Sequence, residues 1–368
     1  MKRAAIAVLM LTLSAPAYAQ FGGIGGALNK AQAAKDTKDK IDDLTVNEQE
    51  ERKIGEDVSA LIRTRFGVVQ DPAVHKYVSL VGMTLIGASE RPNLDWQFVV
   101  LDTDAVNAFA SPGGIVHVTR GALGLAKNEA ELAGVLSHEI AHITRKHTVN
   151  AIQKSKVVSL GSRVASTRVA FLNQIADRAY TMILENSFDR GDELDADKVA
   201  VTLTQKAGYN ANALGDFLAR LDERNKTQSA KNGMFASHPQ TKERIDKVKA
   251  QAAGANAAVT VETRYKSSIT YEAPPLTSIA TVEAGSAGLA GGTKEPPKPA
   301  PKEEPKKGFG VSGLKQTVAP EKQSTQVSAS GGARGLEPDK DAKGGPNPAM
   351  VKTAVGAAEL ATFKKGIA

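Results

Sequence analysis

The stretch LAGVLSHEIAHITRKH, residues 132–147, holds three of the six histidines of this 368-residue chain. Its apolar residues recur at positions 132, 135, 136, 140 and 143, the spacing of one face of an α-helix. Asn128 precedes the stretch and Glu131 follows three residues later, which is the capping-box pattern of a helix start. The pattern predicts a helix that begins near Asn128 and is half-buried along its apolar face.

Residues 138–142 of this stretch read His-Glu-Ile-Ala-His, an HExxH motif. Residues four apart on a helix lie one above the other, so the imidazoles of His138 and His142 can bind one ion from the same face. Zinc accepts imidazole and carboxylate ligands, and a catalytic zinc keeps one position open for water. Glu139 is then the candidate general base. The competing interpretation is a surface helix that carries histidines by chance.

A third zinc ligand has to come from elsewhere. One class of HExxH enzyme uses a histidine six residues after the second ligand, but position 148 is Thr. Another class uses a glutamate from a later helix, and Glu193 is followed four residues on by Asp197, on the same helical face. Glu193 is the candidate ligand and Asp197 a candidate partner that orients a ligating histidine. The spacing fits equally an acidic helix start, where the helix dipole favours carboxylates.

The first nineteen residues have the features of a secretory signal. Lys2 and Arg3 precede a ten-residue apolar run, and the segment ends in Ala-Tyr-Ala. We expect cleavage after Ala19 and export to the periplasm, without a membrane span because no later apolar run reaches about 18 residues. The chain has no cysteine, which excludes disulfides and a lipid anchor on an N-terminal cysteine.

The charge distribution argues against nucleic-acid binding. The formal net charge is +7, of which the signal contributes +2 and residues 285–368 contribute +5, with 13 Lys or Arg against 8 Asp or Glu. Residues 20–284 therefore carry no net charge, so the basicity does not lie on a folded binding face.

The pattern along the chain predicts an α+β fold that is mainly helical, with a small antiparallel sheet. Helical spacing follows Asn47 and Asp71-Pro72, DWQFVVLD predicts a strand, and the Ser-Pro-Gly-Gly turn at residues 111–114 predicts a hairpin. The predicted organisation is a signal at 1–19, a flexible segment at 20–46, a folded domain with the HExxH motif at 47–253, a short extension with one or two strands at 254–283, a disordered Pro/Gly/Lys-rich linker at 284–347 and a short helix at 348–368.

Four segments in order resemble one family. They are VNAFASPGGIVHVTRGAL, NEAELAGVLSHEIAHITRKH, FDRGDELDADKVAVTLTQKAGYN and SHPQTKERI. The chain resembles the exported HExxH zinc metallopeptidases related to HtpX and to the CAAX prenyl protease type, the gluzincins, over about residues 47–250. Among them it resembles the periplasmic BepA-like members, without their helical repeat domain. The resemblance implies a zincin-type fold.

The resemblance also implies roles for single residues. It makes Glu193 the third zinc ligand and Asn107 and Ala108 part of an edge strand that holds an extended peptide substrate, since such an edge offers free N–H and C=O groups. His238 matches a histidine that either closes the metal site or steadies the oxyanion. Arg244 matches a companion arginine that offsets transition-state charge.

The remaining histidines are not predicted to be ligands. His147 points partly away from the face of His138 and His142, so we expect it to cap or pack near the helix C-terminus. His117 falls on a strand, and His75 on a polar face of a helix.

The combined prediction is a periplasmic zinc endopeptidase with one Zn²⁺ per chain, whose substrates, by resemblance, are misfolded or misassembled envelope proteins. Peripheral membrane contact is compatible with this prediction, and nothing indicates a partner for the tail. The alternative is a non-proteolytic or autoinhibited envelope assembly factor that uses the same cleft, although a pure binder has no need of Glu139. A structural zinc module is disfavoured because such sites often use cysteines, which the chain lacks.

Overall fold

The fold is described from a computed structural model of the chain. The residues that it describes are 46–154, 167–185, 188–225, 238, 241–255, 259–273, 281–282, 327–328 and 347–367. The predicted signal at 1–19 and the segment 20–45 lie outside these ranges, as does the predicted linker apart from residues 327–328 and 347.

Helices dominate the part of the chain that the structure describes. In chain order the elements are α1 (Glu48–Phe66), α2 (Pro72–Ile86), β1 (Gln97–Leu101), β2 (Ala108–Ser111), β3 (Ile115–Thr119), α3 (Arg120–Leu125), α4 (Glu129–Thr144), α5 (His147–Lys154), α6 (Arg168–Glu185), α7 (Arg190–Lys206), α8 (Ala213–Asn225), α9 (Thr241–Ala252), α10 (Glu262–Ser268), β4 (Thr281–Val282), β5 (Val327–Ser328) and α11 (Ala357–Lys365). The predicted α+β class with mainly helical content is confirmed.

The three-stranded sheet has the order β1-β3-β2 and is mixed, where the sequence predicted an antiparallel one. The predicted hairpin is present: β2 and β3 pair antiparallel, with Ala108 opposite Val118. β3 also pairs with β1, in parallel, with Gln97 opposite Ile115. The difference arises because β3, the second strand of the hairpin, lies between β1 and β2 and runs parallel to β1. β4 and β5 form a separate antiparallel pair.

The HExxH helix α4 lies at the centre of the core, and every one of its residues is buried. It packs against α7 and α8 on one side and against α2 and β2 on the other. The sequence predicted a helix that is half-buried along its apolar stripe, without burial of the polar residues on its other face. In the structure those polar residues face other polar side chains inside the protein, so the metal motif is enclosed.

Residues 258–273, where the sequence predicted one or two strands, contain the helix α10 instead. The alternation of Val and Thr before residue 262 is typical of a strand, but the backbone there makes single hydrogen bonds to neighbouring segments, with Thr260 O accepting from Ala130 N at 3.2 Å. Tyr265 of α10 is buried and its hydroxyl donates to Leu123 O at 2.5 Å. Tertiary packing of this tyrosine outweighs the local strand preference.

Residues 347–367 pack on the same body as the HExxH helix. Val68 N donates to Asn347 O at 2.7 Å, and the Ser79 and Thr353 hydroxyls lie 3.1 Å apart. The segment continues into α11, within the region predicted as a short helix. Phe363 of α11 is buried, with the guanidinium of Arg264 3.8 Å above its ring.

The buried carboxylate of Glu129, at the start of α4, is bound by Arg264 of α10. Removing Arg264 is therefore expected to lower the stability of the fold. Glu129 is fully buried and accepts hydrogen bonds from Tyr77 Oη at 2.7 Å, Tyr209 Oη at 2.6 Å and Arg264 Nε at 2.7 Å. Arg264→Met leaves this carboxylate without its cation, so we expect the free energy of unfolding to fall by about 3 kcal/mol in urea denaturation.

The matched control is Lys266→Met on the same helix, because Lys266 pairs with the exposed Glu262 of that helix. We expect that variant to lose less than about 0.5 kcal/mol. Equal losses in the two variants would show that the Glu129 contacts do not stabilise the fold.

Candidate metal centre

Three neighbouring segments carry the predicted site: α4 with His138, Glu139 and His142, α7 with Glu193 and Asp197, and the region of α9 with His238 and Arg244. α4 and α7 pack together along their length. The acidic start of α7 serves two purposes. Asp189 is the N-cap and accepts a hydrogen bond from Asp192 N at 2.8 Å, while Glu193 is buried and faces α4.

Four side chains converge on one point. One ligand atom from each of His138, His142, Glu193 and His238 lies within 4.8 Å of all the others, and all four residues are buried. Nε2 of His138 and Nε2 of His142 are 3.1 Å apart, and Nε2 of His142 is 3.4 Å from Glu193 Oε1. His238 Nδ1 lies 2.8 Å from the same Glu193 oxygen. Three imidazoles and one carboxylate form a donor set that zinc accepts.

A second group of charges holds these donors in place. Asp197 Oδ1 lies 3.0 Å from Nδ1 of His138, on the side of the ring opposite the convergence point. Arg244 Nε donates to Asp197 Oδ2 at 2.7 Å, and its Nη1 lies 2.7 Å from Glu193 Oε2. A carboxylate behind a ligating imidazole fixes its tautomer and ring orientation. Arg244 therefore connects Asp197 to Glu193.

The protonation states suit metal binding. Burial lowers the pKa of His138 and lowers that of His142 to about 4, so both imidazoles are neutral at physiological pH. Burial alone would raise the pKa of Glu193, but His238 and Arg244 lower it well below its usual value. Neutral imidazoles and an ionised carboxylate are the forms that bind a cation.

Glu139 tests whether the site fits a hydrolytic metal. It is fully buried, and neither of its carboxylate oxygens has a hydrogen-bond partner among the described residues. Burial raises the pKa of Glu139. A buried, unpartnered carboxylate is costly and needs a functional reason. Its position next to two converging imidazoles fits a general base beside a zinc ion.

The comparison with known families gives the assignment. Residues 72–252 match the model of peptidase family M48. Residues 72–252 therefore form an M48 peptidase domain. This confirms the resemblance to HExxH metallopeptidases that four sequence segments predicted.

Three relatives illustrate the range of the M48 similarity. The beta-barrel assembly-enhancing protease of Escherichia coli K12 is 26% identical over 231 residues, 58% of this chain and 47% of that protein. The mitochondrial metalloendopeptidase OMA1 of Schizosaccharomyces pombe is 31% identical over 202 residues, which are 54% of this chain and 60% of that protein. Metalloprotease YcaL of Escherichia coli K12 is 30% identical over 159 residues, which are 41% of this chain and 60% of that protein. The chain spans about half the length of these relatives.

His238 was placed at the site by the resemblance alone, since its position in the sequence gives no spacing relative to the other candidate ligands. It lies 45 residues after Glu193 and contacts it directly, and its Nε2 is 3.8 Å from Glu139 Oε1. Its ring lies against Phe188 at a centroid distance of 5.8 Å. Burial alone would lower the pKa of His238, but Glu193 raises it. His238 thus lies between the third candidate ligand and the candidate base.

The predicted substrate strand lies beside the metal helix, since β2 packs against α4 and is an edge strand of the sheet. Asn107 and Ala108 are both buried. Their N–H groups are used within the hairpin: Asn107 N donates to Thr119 Oγ1 at 3.1 Å and Ala108 N to Asn107 Oδ1 at 2.9 Å. Their role in substrate binding stays a prediction.

One contact near the centre was not predicted from the sequence. His147 packs just after the end of α4, as expected, but its Nδ1 also lies 3.0 Å from Nδ1 of His142. Helical periodicity gives no signal for this contact, because the helix ends before residue 147. His75 and His117 lie elsewhere, against Val69 O at 2.8 Å and Ser59 Oγ at 2.9 Å.

Among the described residues, no helix is both long and apolar enough to cross a membrane.

Proposed function

We propose that the chain is a zinc-dependent endopeptidase that hydrolyses peptide bonds of misfolded or misassembled envelope proteins. The observation that carries the proposal is the convergence of His138, His142 and Glu193 beside the unpartnered carboxylate of Glu139. A non-catalytic zinc site has no use for that carboxylate. The match of residues 72–252 to peptidase family M48 supports the same reaction class.

His138, His142 and Glu193 are the residues that would hold the zinc. When bound, zinc supplies Lewis-acid chemistry, which polarises the scissile carbonyl and lowers the pKa of water. Asp197 keeps His138 in the tautomer whose Nε2 faces the centre, since its carboxylate lies on Nδ1.

Glu139 acts as the general base in this proposal. Its carboxylate accepts the proton of the attacking water and then delivers it to the leaving amine. Burial raises the pKa of Glu139, which makes its carboxylate a better acceptor of the water proton. The more basic leaving amine then takes this proton from the protonated Glu139.

Arg244 works through two carboxylates in this proposal. The sequence suggested that it offsets transition-state charge, but its guanidinium is already bound to Asp197 and Glu193. We therefore assign it as a positioning residue, which fixes the third ligand relative to the first.

The envelope location of the substrates rests on the predicted signal cleaved after Ala19, which would place the chain in the periplasm. One relative is named a beta-barrel assembly-enhancing protease and another a mitochondrial metalloendopeptidase, and the first of these names supports a role in protein assembly. Unfolded envelope proteins are the substrate class that we propose, with no role for nucleic acid.

The second candidate function is an autoinhibited or non-proteolytic assembly factor, and the contacts of His238 favour it. This histidine lies among the ligand atoms and 3.8 Å from the candidate base. A fourth protein donor would occupy the position that water needs. The two functions share the zinc site and differ in whether the cleft opens.

Replacing His238 separates them. We expect His238→Ala to bind one zinc and to cleave unfolded casein several-fold faster than wild type, because removing the imidazole frees the fourth position. The measurement is the initial rate of fluorescent casein cleavage at equal zinc occupancy, with the exposed Lys247→Ala on α9 as control.

A rate that falls in His238→Ala would instead assign this histidine to oxyanion stabilisation, within the endopeptidase function. Bound zinc without cleavage in wild type and in His238→Ala, over several unfolded substrates, would overturn the endopeptidase proposal in favour of the assembly factor. Cleavage that persists after chelation and zinc removal would overturn the metal mechanism.

A further inference from the structure

The turn after the metal helix has an unusual backbone. α4 ends at Thr144, and Lys146 has φ 56°, one of only two non-glycine residues with positive φ in the part of the chain described here. A left-handed conformation at such a residue costs about 1 kcal/mol or more. Because α5 begins immediately afterwards, at His147, the turn changes the direction in which that side chain leaves the backbone.

This change of direction brings His147 to a metal ligand. In a continuous helix, residue 147 would point about 140° away from residue 142 around the axis. In the structure the rings of His142 and His147 instead meet edge to face, with centroids 4.9 Å apart, and their Nδ1 atoms are 3.0 Å apart. His147 is buried. The strained turn therefore produces a specific contact.

The contact determines where the hydrogens lie. Nε2 of His142 faces His138 and Glu193, so its lone pair is the one available to a metal. Nδ1 of His142 must then carry the hydrogen and donate it to Nδ1 of His147. His147 accordingly carries its own hydrogen on Nε2, which lies 3.4 Å from Asp195 Oδ2 and 3.8 Å from Asp192 Oδ1.

We propose that His147 is a positioning residue for the metal ligand His142. By accepting the hydrogen bond from Nδ1, it fixes the tautomer and the ring plane of His142, and Asp195 fixes the tautomer of His147 in turn. The proposal rests on the proposed function, since it requires a metal at the centre.

The two ligating histidines are thus held by different chemistry. His138 has a carboxylate on Nδ1, that of Asp197, at 3.0 Å. His142 has the neutral imidazole of His147 on its Nδ1, and the Asp195 carboxylate lies behind that imidazole, near its Nε2. A charged partner makes an imidazole a stronger donor than a neutral one does. The relay through His147 therefore orients His142 without placing another negative charge against the site.

The test is the zinc affinity of the full chain, measured by competition with a chromophoric zinc chelator. We expect His147→Leu, which keeps apolar volume but has no acceptor, to weaken zinc binding by about 10- to 100-fold. His147→Asn retains an oxygen near the position of Nδ1 and should lose clearly less. Asp195→Ala, at a half-exposed site, should weaken binding by less than His147→Leu.

Arg145→Ala is the matched control, because Arg145 binds the same Asp195 carboxylate at 3.1 Å but is not part of the relay. It should bind zinc like wild type. The melting temperature of the zinc-free proteins is measured alongside. A purely structural role predicts that His147→Leu and His147→Asn melt earlier without zinc and bind zinc as wild type does, and that result would overturn the proposal.

Zinc binding by wild type separates the positioning role of His147 from the proposed function. If wild type binds one zinc and His147→Leu binds it equally tightly, the positioning role is wrong and the proposed function stands. If wild type binds no zinc, the proposed function itself is wrong.

Discussion

Glu139→Gln is expected to lower the rate of casein cleavage by about 10²- to 10⁴-fold, the usual contribution of a general base. The glutamine has nearly the shape of the glutamate, so the core around α4 stays packed. It lacks the basic oxygen that accepts a proton from water. Since Glu139 is not among the four converging donors, the variant should still bind one zinc per chain.

The experiment measures cleavage and zinc content on the same preparation. An exposed residue of α1 provides the control, Glu56→Gln, which should retain the wild-type rate. Retention of more than about a tenth of the activity in Glu139→Gln would remove this residue from the role of base. Loss of zinc together with activity would mean that Glu139 acts on the metal site rather than on water.

Glu193→Gln is expected to abolish tight zinc binding, and cleavage with it. The substitution removes the negative charge that His142, His238 and Arg244 contact, while keeping the side-chain volume in a fully enclosed position. The effect on zinc affinity should exceed the 10- to 100-fold loss typical of residues that only orient a ligand. Arg244 keeps one carboxylate, that of Asp197, so the fold should survive.

The melting temperature, measured at increasing zinc concentration, reports zinc binding independently of activity. A ligand that binds only the folded state raises the melting temperature with its concentration. Zinc should therefore raise the melting temperature of wild type and of the partly exposed control Glu243→Gln, and leave that of Glu193→Gln unchanged. An equal zinc-induced rise in Glu193→Gln would exclude Glu193 as a ligand.

The sequence predicted the elements whose signals are local. The helix α4 follows from its apolar spacing and its Asn128 cap, and the pairing of His138 with His142 follows from their separation of four residues. The hairpin follows from its Ser-Pro-Gly-Gly turn. In each case the determining interactions lie within one turn of helix or one loop, where spacing is informative.

The remaining features depend on contacts between distant segments. Spacing alone could not decide whether Glu193 is a metal ligand or an acidic residue of a helix start. The packing of α7 on α4 brings its carboxylate to the imidazoles. The sheet is mixed because β3 of the hairpin also pairs in parallel with β1, a pairing that residue alternation does not encode. α10 replaces predicted strands because Tyr265 packs into the core. His147 reaches His142 through one left-handed residue, Lys146, that no propensity indicates.

The most direct test is a titration of the zinc-free protein with zinc, in which casein cleavage is followed as a function of zinc per chain. It should be made on wild type and on His238→Ala. We predict that cleavage rises with added zinc and saturates at one zinc per chain in at least His238→Ala. Cleavage that is independent of zinc, or its absence from both proteins at one bound zinc per chain, would contradict a zinc peptidase centred on His138, His142 and Glu193.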